Sequence, residues 1–77
     1  MPAREADVVL HIDEATTHAG REHFREQLLA MDGVLAASCH DEKPHLMVIM
    51  YNPDVVSALE FVNLAREQGL HAELIGL

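Results

Sequence analysis

Six histidines and 13 carboxylates hold most of the chemistry this 77-residue chain offers. They cluster. The stretch Asp13-Glu14-Ala15-Thr16-Thr17-His18-Ala19-Gly20 brings together two carboxylates, two hydroxyls and one imidazole, with no thiol. His11 lies just before it, and His71 and Glu73 lie near the far end of the chain. Neutral imidazole with carboxylate oxygen is a ligand set for borderline divalent ions such as Zn, Ni, Co or Cu. The same groups also make a wet polar patch that senses pH. No nucleophile stands beside a base in a recognisable context, and no glycine-rich loop is built to cradle phosphate. The chain therefore does not read as an enzyme.

The elements that must position these groups follow from patterning. Residues 1–6 read as a short solvated tail and residues 7–77 as one domain. Val8 to Ile12 is strand-like. A helix begins near Thr17, a natural N-cap, and buries Phe24, Leu28 and Met31 while Arg21, Glu22, Arg25 and Glu26 face water. Gly33 stops it. Val34 to His40 is a second strand, Asp41 to Pro44 a turn, and His45 to Tyr51 a third strand, apolar on both faces. Ser57-Ala58-Leu59-Glu60 reads as a capping box opening a second helix that buries Phe61, Val62 and Ala65 and ends at Gly69. Leu70 to Leu77 is the last strand. This order predicts an α+β, ferredoxin-like βαββαβ sandwich: a four-stranded antiparallel sheet of order 4-1-3-2 with both helices on one face.

Alternation then assigns faces. Leu10 and Ile12 point to the helices, and His11 and Asp13 to the open face. On the last strand, Leu70, Ala72 and Leu74 point inward, leaving His71 and Glu73 outside. First and last strands are neighbours, with cross-strand partners about 5 Å apart, so His11, Asp13, His71 and Glu73 form one candidate ligand patch. His18, with Glu14, Thr16, Thr17 and Glu22 near it in sequence, is another. Leu46, Val48 and Met50 share the open face, and such an apolar row reads as an interface, in a homodimer or with a partner protein.

Three segments carry a family resemblance: Met31-Asp32-Gly33-Val34, then Tyr51-Asn52-Pro53-Asp54 with Val56-Ser57, and Glu67-Gln68-Gly69-Leu70-His71-Ala72-Glu73-Leu74. Through them the chain, over roughly residues 8 to 75, resembles the heavy-metal-associated domain, the small module of copper chaperones and metal-transporting ATPases. The resemblance implies the same fold, a bound metal and a metal transporter as partner. The family's metal site is a C-x-x-C pair at the start of the first helix, where two thiolates suit Cu(I). Counting back from Gly33, these positions fall on Thr17 and Gly20, neither of which is a thiolate. Cys39 sits on the second strand and is expected to be a small core residue, remote from that loop. The soft site is missing. Two readings follow: a protein that binds or traffics a divalent ion through histidine and carboxylate groups, or a metal-independent dimerising or partner-binding module that uses the open sheet face.

Composition narrows the field further. The chain carries 5 basic against 13 acidic residues, a net charge of -8, which repels phosphate backbones and anionic membrane surfaces. Nucleic-acid binding and membrane insertion are not expected. A single cysteine excludes an intramolecular disulfide, and no signal segment is visible, so the chain reads as cytoplasmic.

Overall fold

The computed structural model describes residues 4–75. Its elements are β1 (Ala6–Ile12), α1 (His18–Leu29), β2 (Val34–His40), β3 (Lys43–Tyr51), α2 (Leu59–Glu67) and β4 (Ala72–Ile75). The sheet order is β2-β3-β1-β4, fully antiparallel, which is the expected 4-1-3-2 arrangement. Among the described residues, no helix is long and apolar enough to cross a membrane.

The core lies between the sheet and the two helices. Val8, Leu10 and Ile12 of β1, Ala37 of β2, and Met47 and Ile49 of β3 meet Phe24 and Leu28 of α1 and Phe61 and Ala65 of α2. Period-two alternation in the strands and i, i+4 spacing in the helices put these side chains on facing surfaces. Tyr51 packs edge-on against Phe61, ring centres 5.2 Å apart, a favoured aromatic geometry.

Several local expectations need correction. β1 starts at Ala6, opposite Tyr51, one residue before the expected domain start, and Arg4 pairs with Asp54 at 2.8 Å. Thr17 does cap α1, its Oγ1 accepting from the Gly20 N–H at 3.0 Å. The full capping box at α2 does not form: Ser57 Oγ accepts from the Leu59 N–H, and Ala58 is the cap residue. Only a shorter turn separates the middle strands, because Lys43 and Pro44 already belong to β3. β4 covers four residues, Leu70 and His71 precede it, and Gly76 and Leu77 lie outside the described residues. Leu74 shares the helix-side face with Leu10 but remains 39% exposed, on the edge strand of the sheet.

The α1–β2 corner depends on Gly33. Its φ of +94° is a conformation that side chains rarely adopt. A Cβ built there would lie 2.9 Å from Val55 Cβ, an atom fixed to backbone. Its carbonyl also accepts from the Asn52 N–H at 2.7 Å, tying the corner to the end of β3. Gly33→Ala combines strain with a clash and should cost about 2–3 kcal/mol. Urea unfolding measures this, and a loss under about 0.5 kcal/mol, the level of a neutral surface change, would contradict the reading.

Candidate metal centre

Among the described residues, the end of β1 holds the group of three potential metal ligands that lie close together. Register places His11 directly opposite Glu73 of β4. Two residues on, Asp13 leaves the sheet on the same side, held there by its N–H donating to the His71 carbonyl at 2.8 Å. His11 Nδ1 lies 3.3 Å from Asp13 Oδ1 and 4.0 Å from Glu73 Oε1. One ligand atom from each of the three residues falls within 4.8 Å of the others. A tetrahedral ion with bonds of about 2.0–2.2 Å needs ligand atoms roughly 3.3–3.6 Å apart. The group is thus about one ångström from a coordinating geometry.

His11 Nδ1 is also unusual chemically. It is shielded from water, yet makes no hydrogen bond. Buried polar atoms are normally satisfied, so an orphan needs an explanation. Here it faces two oxygens that can share a cation with it. The carboxylates themselves are open, with side chains 62% and 73% exposed. Their pull on a cation is accordingly screened by water.

His71, expected in this patch, turns elsewhere. Its Nδ1 meets Glu14 Oε2 at 2.5 Å, and its backbone N–H donates to Glu14 Oε1 at 2.7 Å. The side-chain bond to His71 holds the Glu14 carboxyl below its ordinary range, and the same bond raises the His71 imidazole. Glu14 thereby latches the chain before β4 to the loop after β1. The histidine is committed to a carboxylate rather than offered to the His11 group.

The other expected ligand, His18, belongs to a different arrangement. Its Nδ1 lies 2.8 Å from Asp41 Oδ1, and its Nε2 lies 3.9 Å from Glu22 Oε1. The same Asp41 oxygen accepts from Arg21 Nη2 at 2.7 Å. Arg21, expected to face water, is buried at 7% exposure. Its Nη1 donates to the Thr16 carbonyl at 2.5 Å. A guanidinium therefore braces the loop before α1 against the β2–β3 turn. A metal cation at His18 would compete with that fixed positive charge for one carboxylate. Thr17 and Gly20 are joined in the helix cap described above and present no thiolate. Cys39 faces the helices beside the core, within electrostatic reach of Arg21, Glu22, Arg25 and Asp41, so it lies nearer this loop than expected. Burial pushes its thiol up, which disfavours the thiolate that soft metals need.

Sequence reasoning missed two contributors. Arg21 falls on the same helical face as Phe24 and Leu28, at i+3 and i+7, and that spacing was the available signal. His45 gave none. Its Nδ1 approaches the Ile12 carbonyl at 2.8 Å, and its ring stacks on His11 with centres 5.9 Å apart and planes 21° from parallel.

The open face carries an apolar row that crosses the sheet. Val48 pairs with Val9, and Val9 with Ile75; Val48 and Ile75 are 40% and 44% exposed. Leu46 and Met50 flank it, half-buried.

The His18–Asp41 pair can be read directly by titration. Hydrogen bonding to Asp41 raises His18, and hydrogen bonding to His18, then Arg21, lowers Asp41. The raised histidine contributes stability below its ordinary value, lost as pH rises through the raised one. The lowered aspartate contributes above its ordinary value, lost as pH falls through the depressed one. Both contributions are present together between the ordinary carboxylate and histidine ranges. NMR titration should give His18 a midpoint above that of a free histidine, and Asp41→Asn should lower it. An unmoved midpoint would show that the pair does not form in solution.

By sequence, the chain matches no protein-family model and no curated protein. By structure, it is similar to a copper binding domain from HMA7, a P-type ATPase, with a TM-score of 0.79 at 17% identity, covering 91% of this chain and 93% of that one. Oxidized MerP from Ralstonia metallidurans CH34 gives a TM-score of 0.80 at 14% identity, covering 92% and 97%. The yeast copper transporter domain CCC2A gives 0.78 at 20% identity, covering 90% and 93%. At these identities the likeness concerns the backbone: the chain shares the ferredoxin-like fold of these three structures over nearly its whole length.

Proposed function

We propose that the chain is a small metal-binding domain that takes a divalent transition ion, Zn, Ni, Co or Cu, on His11, Asp13 and Glu73. The observation that carries this reading is the shielded, unpartnered His11 Nδ1 between two carboxylate oxygens. The fold neighbours support a role in metal binding or trafficking, since one is a copper binding domain of a P-type ATPase and another a copper transporter domain solved in apo and Cu(I)-loaded states. A transporter is accordingly the partner this reading favours. The ligands, however, are not suited to Cu(I). Thr17 and Gly20 offer no thiolate, and one imidazole with two carboxylates is a harder set that suits a divalent ion. Three protein ligands leave a coordination position open, through which an ion can be passed on or a water held. Solvent exposure of the carboxylates favours a modest affinity, as an exchangeable site requires.

Binding to the native state alone stabilises by mass action. An ion at a hundred times its Kd adds about 2.7 kcal/mol, roughly 10–20 °C in Tm for a domain of this size. A thermal-shift series with Zn, Ni, Co and Cu(II) at pH 7.5 should show such a rise for at least one ion. His11→Ala should abolish it, and His18→Ala should leave it intact. A flat series would end the proposal.

A second reading rests on the Val48–Val9–Ile75 row, which would be covered if a second copy docked through the open face. Sedimentation across a concentration series should then show a dimer that Val48→Lys dissociates. A monomer at the highest concentration would reject this reading while leaving the metal proposal standing.

A further inference from the structure

Resting on the metal site proposed above, we infer that His45, which lies outside the ligand group, is the residue that holds that site in shape. The backbone pairing of β1 with β3 runs from Ala6 and Tyr51 to His11 and Leu46 and stops there. One step further along, a side chain continues where the backbone ladder ends. His45 Nδ1 lies 2.8 Å from the Ile12 carbonyl. A carbonyl oxygen only accepts, so Nδ1 carries the proton and donates it. The other end of the same peptide, the Asp13 N–H, donates to the His71 carbonyl at 2.8 Å. The peptide joining Ile12 to Asp13 is therefore gripped from the β3 side by an imidazole and from the β4 side by backbone. Rotating its plane would break both bonds. The position from which the Asp13 carboxylate projects is set by this grip.

The same ring restrains His11. Stacking at 5.9 Å and 21° lies in the favoured range for aromatic pairs. An imidazole binds a metal along its nitrogen lone pair, which lies in the ring plane. With Nδ1 unpartnered, no hydrogen bond fixes that plane. Packing does so instead, and His45 supplies one face of it. One residue thus orients two of the three ligands. Residues that orient ligands typically change affinity 10- to 100-fold when lost.

Three variants separate the two contacts. His45→Ala removes both. His45→Asn keeps an amide N–H near the place of Nδ1, and His45→Phe keeps the flat ring. Zn(II) affinity is measured by calorimetry at pH 7.5, and Co(II) absorption reports coordination geometry. His45→Ala should weaken Zn(II) 10- to 100-fold and shift the Co(II) bands. His45→Asn and His45→Phe should each recover part of the loss. If His45→Ala does not fold, the ordering of wild type above both remaining variants carries the test. Wild-type binding with His45→Ala within twofold, and an unchanged Co(II) spectrum, would overturn the inference and leave the metal site standing. Loss in all three variants equal to that of His11→Ala would also overturn it, making His45 a ligand. Where only Ni(II) or Cu(II) binds, the same affinity comparison is made with that ion; a wild-type protein that binds none of Zn(II), Co(II), Ni(II) and Cu(II) overturns the metal reading and this inference with it.

Discussion

β1 is bonded on both flanks, to β3 and to β4, and its alternation decides what each face of the sheet can do. Val8, Leu10 and Ile12 must point at Phe24, Leu28 and Phe61, because each buried aliphatic side chain contributes roughly 1.5–3 kcal/mol. A slip of one residue would turn all three outward and drive His11 and Asp13 into an apolar core. Burying such polar groups without partners costs several kcal/mol for each neutral group and more for a charge. The core therefore fixes the register, and the register delivers His11 to the open side opposite Glu73. The candidate centre inherits its placement from packing that has nothing to do with metal.

Where the ladder ends, the chain must still be guided from β1 to α1, and two devices do this. On the β4 side, Glu14 holds both the side chain and the backbone N–H of His71. On the β2–β3 side, the Arg21 guanidinium bridges the Thr16 carbonyl and Asp41. The charges of these devices sort the two candidate ligand groups. At His18 a buried cation already occupies the nearby carboxylate. Two like charges 4 Å apart repel by about 4 kcal/mol at the effective dielectric near a protein surface. At His11 the described residues pair neither Asp13 nor Glu73 with a lysine or arginine. Among the described residues, the carboxylate at the α1 end of this loop is thus paired with a fixed positive charge, and those at its β1 end are not.

Much of this was legible from sequence, for physical reasons. Strand order, both helices, the Thr17 cap and the core-facing residues of β1 and β3 follow from periodicity and turn chemistry, which are local. The side of the sheet taken by His11 and Glu73 was equally readable, since alternation needs no knowledge of register. What failed to show were choices among partners. Arg21 reads as a surface charge until Asp41, 20 positions away, is seen to meet it. His71 is one peptide from the His11 group, yet Glu14 captures it. His45 by alternation belongs to the helix side, but at the end of a ladder an unpaired carbonyl is available, and the imidazole takes it.

A backbone likeness at 14–20% identity shows that this fold is reached by very different sequences. A sandwich of this kind needs its alternating core, its two helix stripes and a corner glycine at Gly33 where a Cβ cannot fit. None of these requirements mentions a thiol. Thr17 and Gly20 satisfy the start of α1 by a hydroxyl-to-amide bond, so the helix begins without help from a bound ion. The loop before α1 is instead braced by the Arg21 guanidinium, which joins the Thr16 carbonyl to Asp41. The junction of β1 and β4 is distinct for a physical reason, because there a central strand with a histidine meets an edge strand with an exposed glutamate.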